Sequence, residues 1–260
     1  MTQNGESLGD AERHAVDSLE PELREHGKMT QFAFDLIGTT LAKTPVILLR
    51  DVPQSRKVAT SLLVRLSNDL RATALLALRG YPIQAASIVA SMYEVAFAVA
   101  VIGADKQKAQ QWIDHAEPTR SFQNVKSMTS EGLKKLGVPD ADNHANKRYE
   151  VYSQLCMARH ANPLSQKQFG IQVHYDDVVA MNGPDTSEGA VRMAWFALDH
   201  AAFLSYVALA SFITNHSPMV EQDNLRKQSE ALGAWRHRLE QAAVQRWGTE
   251  DPYPGKWRIK

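Results

Sequence analysis

The chain holds a single cysteine, Cys156, among 260 residues. That excludes an intramolecular disulfide and any zinc site built from several thiolates. Net charge is also missing. The 29 Lys+Arg balance 29 Asp+Glu, so bulk attraction to nucleic acid or anionic membrane is not available, and any such affinity must come from a local patch. Neither G-x-x-x-x-G-K-[ST] nor G-x-G-x-x-G occurs, which removes two phosphate-cradling loops. There is no H-E-x-x-H and no pair of Glu-x-x-His units of the kind di-iron bundles use. No metal and no cofactor is expected. Fixed-period repeats, low-complexity tracts and sustained heptads are absent too. What remains is an ordinary globular composition, 44% hydrophobic and 22% charged, with enough apolar residues for a sizeable core.

Two stretches are short of charge. Residues 83–103 carry only Glu94, and residues 194–214 carry only Asp199 and His200. Each has about the length needed to span hydrocarbon. Ala and Ser dominate both, and no Lys/Arg flank sets an orientation, so they are read as buried core helices rather than membrane spans. Residues 1–10 are polar, and Glu12, Asp17, Glu20, Glu22 and Glu25 follow where a signal peptide would place an apolar run. The expectation is a cytoplasmic protein.

The punctuation marks helix ends. Pro21 suits a first turn and predicts a helix to about Lys43. Pro53-Gln54-Ser55 opens a second, in which Val58, Leu62, Leu63, Leu66, Leu70 and Leu76 follow helical spacing until Gly80. Pro82 starts the third, through Glu94 to Gly103. Asp105 caps a short fourth helix, Ser121 to Leu136 forms a fifth, and Asp142 caps a sixth that ends near His160 before Asn162-Pro163. Phe169, Ile171 and Val173 alternate with polar residues, as in a short strand or extended loop. Asn182-Gly183-Pro184-Asp185 makes a turn, Thr186 or Ser187 caps a seventh helix, and Ser217-Pro218 opens the last. The reading is all-α: one bundle of seven to eight helices with an irregular or extended segment near 163–185. An acidic, frayed segment covers 1–19, one helical domain covers 20–248, and a loose tail covers 249–260.

Ionisable groups on apolar helices carry the chemical information. A lone buried charge costs several kcal/mol, so each must be paired, protonated or facing a polar cavity. Glu94 is flanked at helical spacing by Ala90, Ser91 and Ala98. Arg192 and Asp199 share a face of the seventh helix, with Trp195 between and His200 adjacent. Arg79, Arg159 and His160 sit at helix ends as natural partners. On the sixth helix Tyr152, Cys156 and His160 form one stripe, and a thiol one turn below an imidazole is a candidate nucleophile. No Gly-rich oxyanion element precedes Cys156, and single cysteines usually act as small core residues. The C-terminal region interleaves Arg226, Lys227, Arg236, His237, Arg238 and Arg246 with Trp235 and Trp247, as single-stranded RNA binders do, although Glu230, Glu240 and Glu250 dilute it.

From Arg79 to Pro163 the sequence reads R-G-Y-P-I-Q-A-A-S-I-V-A-S-M-Y-E-V-A, then W-I-D-H, then Y-S-Q-L-C-M-A-R-H-A-N-P. This resembles a group of bacterial all-helical proteins related to the HEPN helical bundles. The resemblance implies a helical bundle, frequent dimerisation, and association with RNA handling, toxin–antitoxin pairs or phage defence. It also implies that Glu94, Arg159, His160 and Asn162 line an inter-helix site. Ribonuclease-active HEPN proteins share an Arg followed by His after four to six residues. No Arg–His pair here has that spacing.

The leading expectation is therefore a HEPN-like bundle that binds RNA or a nucleotide-like ligand around Glu94, Arg159 and His160, with Arg79, Asn162, His115 and Tyr152 as further ligand contacts. If it cleaves RNA, His160 is the general base or acid and Arg159 stabilises phosphate charge, without a metal. The expected partners are RNA or a nucleotide and a second copy or another protein, with no membrane. The rival is a non-catalytic scaffold or sensor acting through protein–protein contacts, whose buried charges only set helix register.

Overall fold

A computed structural model describes residues 7–43, 49–115, 121–160, 171–174, 177–180, 183–217 and 219–249. Among them are eight α-helices: α1 (Leu8–Lys43), α2 (Gln54–Leu78), α3 (Pro82–Ile102), α4 (Lys106–Asp114), α5 (Val125–Lys135), α6 (Ala141–Arg159), α7 (Glu188–His216) and α8 (Met219–Trp247). One antiparallel hairpin interrupts them. In it β1 (Ile171–His174) pairs with β2 (Asp177–Ala180), Ile171 lying opposite Ala180 and His174 opposite Asp177. The chain is all-α, as its helical spacing predicts.

The helix ends follow local chemistry. Pro82 occupies the first turn of α3, where its missing N–H would be unpaired anyway. The Asp105 carboxylate accepts from the N–H groups of Gln107 and Lys108 to start α4. Asn124 does the same for Ser127 at α5, and Ser187 for Ala190 at α7. Asp142, expected as the α6 cap, lies inside the first turn; it accepts from Ser130 and pairs with Lys134 at 2.9 Å. Between α2 and α3 the chain turns at Gly80, whose φ is +82°. A Cβ there would lie 2.7 Å from the Pro184 Cβ, and the Gly80 carbonyl accepts from the Asp185 N–H at 2.9 Å. The 183–185 turn is thus docked on the α2–α3 corner.

Helices α3 and α7 form the centre, with α2 and α1 on one side, α5 and α6 against α3, and α8 against α1 and α7. Tyr93, Phe97, Met92 and Phe212 are fully buried there, each large apolar side chain contributing about 1.5–3 kcal/mol. Small residues allow the close crossings: a Cβ on Gly132 of α5 would lie 3.0 Å from the Ala100 Cβ of α3. By length and composition both α3 and α7 could cross a membrane, but 78% and 83% of their most apolar windows are buried by the other helices.

Two helix starts differ from expectation. Helix α1 begins at Leu8 rather than near Pro21, so the acidic residues from Leu8 to Leu19 are helical instead of frayed. Ala15 and Leu19 are buried on the stripe that continues through Leu23, Met29, Ala33 and Ile37. That burial offsets the roughly 3 kcal/mol a proline costs inside a helix; Pro21 itself faces outward. Helix α5 starts at Val125, not Ser121, because Asn124 supplies the cap. The alternation near 169–173 resolves as a hairpin starting at Ile171. Phe169, Asn182 and the tail from 250 onward lie outside the described residues.

Candidate functional site

Glu94 sits on the one side of α3 where α6 covers it incompletely. The Tyr152 hydroxyl donates to Glu94 Oε1 at 2.8 Å, and Arg159 Nη1 donates to the same oxygen at 3.1 Å. Tyr152, Cys156 and Arg159 are spaced by four and three along α6, so one stripe delivers all three to Glu94. The Glu94 side chain keeps 25% of its exposure and Arg159 keeps 45%. The site is therefore wet, and its ion pair is of the weak, exchangeable kind. Inward from it runs an aromatic series. Tyr152 lies 5.0 Å from Tyr93, and Tyr93 lies 4.8 Å from Phe97. The Tyr93 hydroxyl is paired with Thr129 at 3.0 Å. On the outer side Tyr149 lies 5.9 Å from Tyr152 and is 39% exposed.

Electrostatics argue against a nucleophile. Burial raises the Cys156 thiol above its usual range, partly opposed by the Tyr152 hydroxyl and the Arg159 charge, so the thiol is protonated at neutral pH. Burial, reinforced by Cys156 and Glu94, raises the Tyr152 phenol as well. Tyr152 is a hydrogen-bond donor here, not a base.

The other expected residues divide. His160 caps α6 with extended backbone, φ −99° and ψ 149°. Its N–H still closes the last turn on the Cys156 carbonyl, and its exposed ring makes no hydrogen bond among the described residues. The candidate Cys156–His160 pairing is not formed among the described residues. Arg79 is drawn to the opposite side, 3.6 Å from Glu12 of α1, whose carboxylate also accepts from the Tyr81 hydroxyl at 2.9 Å. His115 caps the C-terminus of α4, outside the Glu94 group. Asn162 lies outside the described residues.

A second constellation lies across the bundle. Asp199 on α7 is buried and paired with Arg236 on α8, whose Nε and Nη2 reach Asp199 Oδ2 at 2.9 and 2.8 Å. Arg236 Nη1 also lies 3.3 Å from Glu240. His200 and, from α1, His26 are buried beside this pair. Sequence reading placed Arg192 and Asp199 on a common face with His200 adjacent, and missed Arg236 and His26 as neighbours of Asp199 and His200. A partner 37 residues away on another helix has no local spacing signal. Glu94–Arg159 and Asp199–Arg236 are thus two separate pairs. Among the described residues no three His, Cys, Asp or Glu side chains converge to hold a metal ion.

No protein-family model matches the chain, and no curated protein or solved structure matches it either.

Proposed function

We propose that this chain is a cytoplasmic, HEPN-like helical bundle that recognises single-stranded RNA at the α3–α6 surface, and that it binds rather than cleaves. The observation that carries this reading is the Arg159 guanidinium. Glu94 holds it in place and leaves it half-exposed, with Tyr149 and Tyr152 a few turns along the same helix. A guanidinium with spare N–H donors suits a phosphate, and an exposed tyrosine suits a base. Cleavage is disfavoured by geometry. His160 has no orienting partner among the described residues, and no second acid or base faces it. A role in phage defence or toxin–antitoxin regulation, and assembly as a homodimer, belong to the same proposal.

The test is fluorescence anisotropy with a labelled single-stranded RNA, run beside a cleavage assay on the same oligonucleotide. Tyr149→Ala should weaken binding about 5- to 100-fold, the range of one base–aromatic stack. Glu94→Gln removes an anion facing the phosphate and should leave binding intact or tighter. Turnover that disappears in a folded Arg159→Ala/His160→Ala variant would restore the ribonuclease, with His160 as acid or base. The buried Asp199–Arg236 pair favours a second reading, a scaffold whose charges set helix register. It predicts no RNA binding at all, and a lower melting temperature for Glu94→Gln.

A further inference from the structure

The joint between α1, α7 and α8 packs two imidazoles where a charged imidazole has nowhere to go. His26 is 1% exposed and His200 is 2% exposed. His200 Nδ1 is 2.9 Å from the Phe196 carbonyl, while His200 Nε2, His26 Nδ1 and Asp199 Oδ1 have no hydrogen-bond partner among the described residues. All three side chains line one narrow, partly open cleft whose space for water is about 10 Å³. That is room for a single water, which cannot hydrate an imidazolium.

The carboxylates around the joint are each held by a cation. On α8, Arg236 pairs with both Glu240 and Asp199, so the carboxylate 3.6 Å from His200 is shared with a guanidinium and only its Oδ1 is open. On α7, Arg192 lines the same cleft, and from α6 Arg148 adds positive potential at His200. On α1, Glu22 is held with Glu188 of α7 by Arg246, at 2.6 and 2.9 Å, and only Glu25 favours a charged His26. Exposed His237 pairs with Glu240 on the outer face of α8. Arg246 also lies over the Trp195 and Trp247 rings, and Trp195 stacks on His26 at 4.6 Å. This latch ties the end of α8 to α1 and α7.

We propose that this joint is an acid-sensitive lock: protonation of His26 and His200 undocks α8 while α2 and α3 stay folded. Burial holds His26 down at about 4 and keeps His200 well below its ordinary value, with Arg236 acting in the same sense. Undocked, both return to about 6.5, so each proton gained favours the undocked state. Between pH 7 and pH 5 His26 alone shifts that equilibrium about 20-fold, and His200 adds to the shift in the same direction. Asp199 opposes them. Burial raises it to about 6, and its protonation in the docked state favours docking about tenfold. The His26 shift alone exceeds that, so the net shift is towards undocking.

Hydrogen exchange on the intact chain measures this directly. Corrected for intrinsic rates, protection across 219–247 should fall more than about twofold from pH 7 to pH 5, while protection across 82–102 holds. His26→Gln should move that response about 20-fold towards docking, and adding His200→Gln should leave only Asp199, so that protection rises about tenfold on acidification. Protection in α8 that stays constant, or that falls in step with α3, would overturn the lock. So would an undiminished pH response in folded His26→Gln, and the wild-type profile alone decides the matter if that variant does not fold.

Discussion

Removing Arg236 while keeping its bulk isolates the buried charge of Asp199. In Arg236→Met the carboxylate keeps its place on α7 but loses both guanidinium donors, at 2.9 and 2.8 Å. Breaking one side of a buried ion pair costs about 3–5 kcal/mol. At about 2–4 °C per kcal/mol for a chain of this size, the melting temperature should fall by about 10 °C. The pH dependence is the sharper signature. Asp199 is raised to about 6, by burial more than Arg236 and its other neighbours offset. A carboxyl whose folded pKa exceeds its unfolded value contributes stability below the unfolded pKa and loses it as pH rises through the folded one. Without Arg236 that folded pKa climbs further. The penalty of the variant, taken relative to wild type at each pH, should therefore be largest above pH 7 and shrink towards pH 5. His200 pulls in the same direction, since Arg236 helps to hold it deprotonated. Urea unfolding followed by tryptophan fluorescence at pH 5, 6, 7 and 8 gives the series. The double variant Asp199→Leu/Arg236→Met should recover to wild-type stability or exceed it. A single-variant penalty below about 1 kcal/mol and flat with pH would show that Asp199 is hydrated, and the argument for a dry joint would fail.

Two further expectations concern single residues. Gly80→Ala combines a left-handed backbone with a contact of 2.7 Å to the Pro184 Cβ, and should cost about 2–4 kcal/mol in urea unfolding. Gly137→Ala, with φ +73° but open space around the new methyl, should cost only about 1–2 kcal/mol; equal costs would mean that the 183–185 turn does not press on the α2–α3 corner. Cys156 in the folded chain should react with Ellman's reagent at pH 8 at least tenfold more slowly than in the urea-unfolded chain, given its half-buried, raised thiol. Equal rates would place the thiol in open solvent.

The elements that sequence made legible are those whose determinants sit within one turn. Pro82, Asp105, Gly103 and Ser187 each act on neighbours three or four residues away, and each lies where its helix begins or ends. The scarcity of charge in 83–103 and 194–214 marks the central helices, because burial of α3 and α7 on nearly every side leaves no face for charged residues. What escaped depends on distance along the chain. Pro21 reads as a start signal, yet Ala15 and Leu19 find their burial against helices far along the sequence. Arg79 reads as a partner for the buried acids until Glu12, on another helix, takes it. The α6 stripe was legible as far as Cys156. At His160, the C-cap, the backbone becomes extended, and helical spacing places nothing in the chain beyond it.

The two acids on the central helices show how burial divides one residue chemistry between two tasks. Glu94 and Asp199 each meet an arginine from a later helix at about 3 Å. At Glu94 the pair is wet, so Arg159 can exchange a carboxylate for an incoming phosphate at little cost, since water replaces whatever either partner loses. At Asp199 nothing can be exchanged without stranding a charge in the dry joint. A ligand that needs a cation can therefore be served at the α3–α6 surface alone of these two places. A proton, small enough to enter without displacing anything, is what the α1–α7–α8 joint can answer to. The α3–α7 contact at the centre of the core joins the two regions, so a chain with α8 undocked still presents α3 and α6 intact. Recognition at Arg159 should then persist at pH 5, however far the docking of the last helix has shifted.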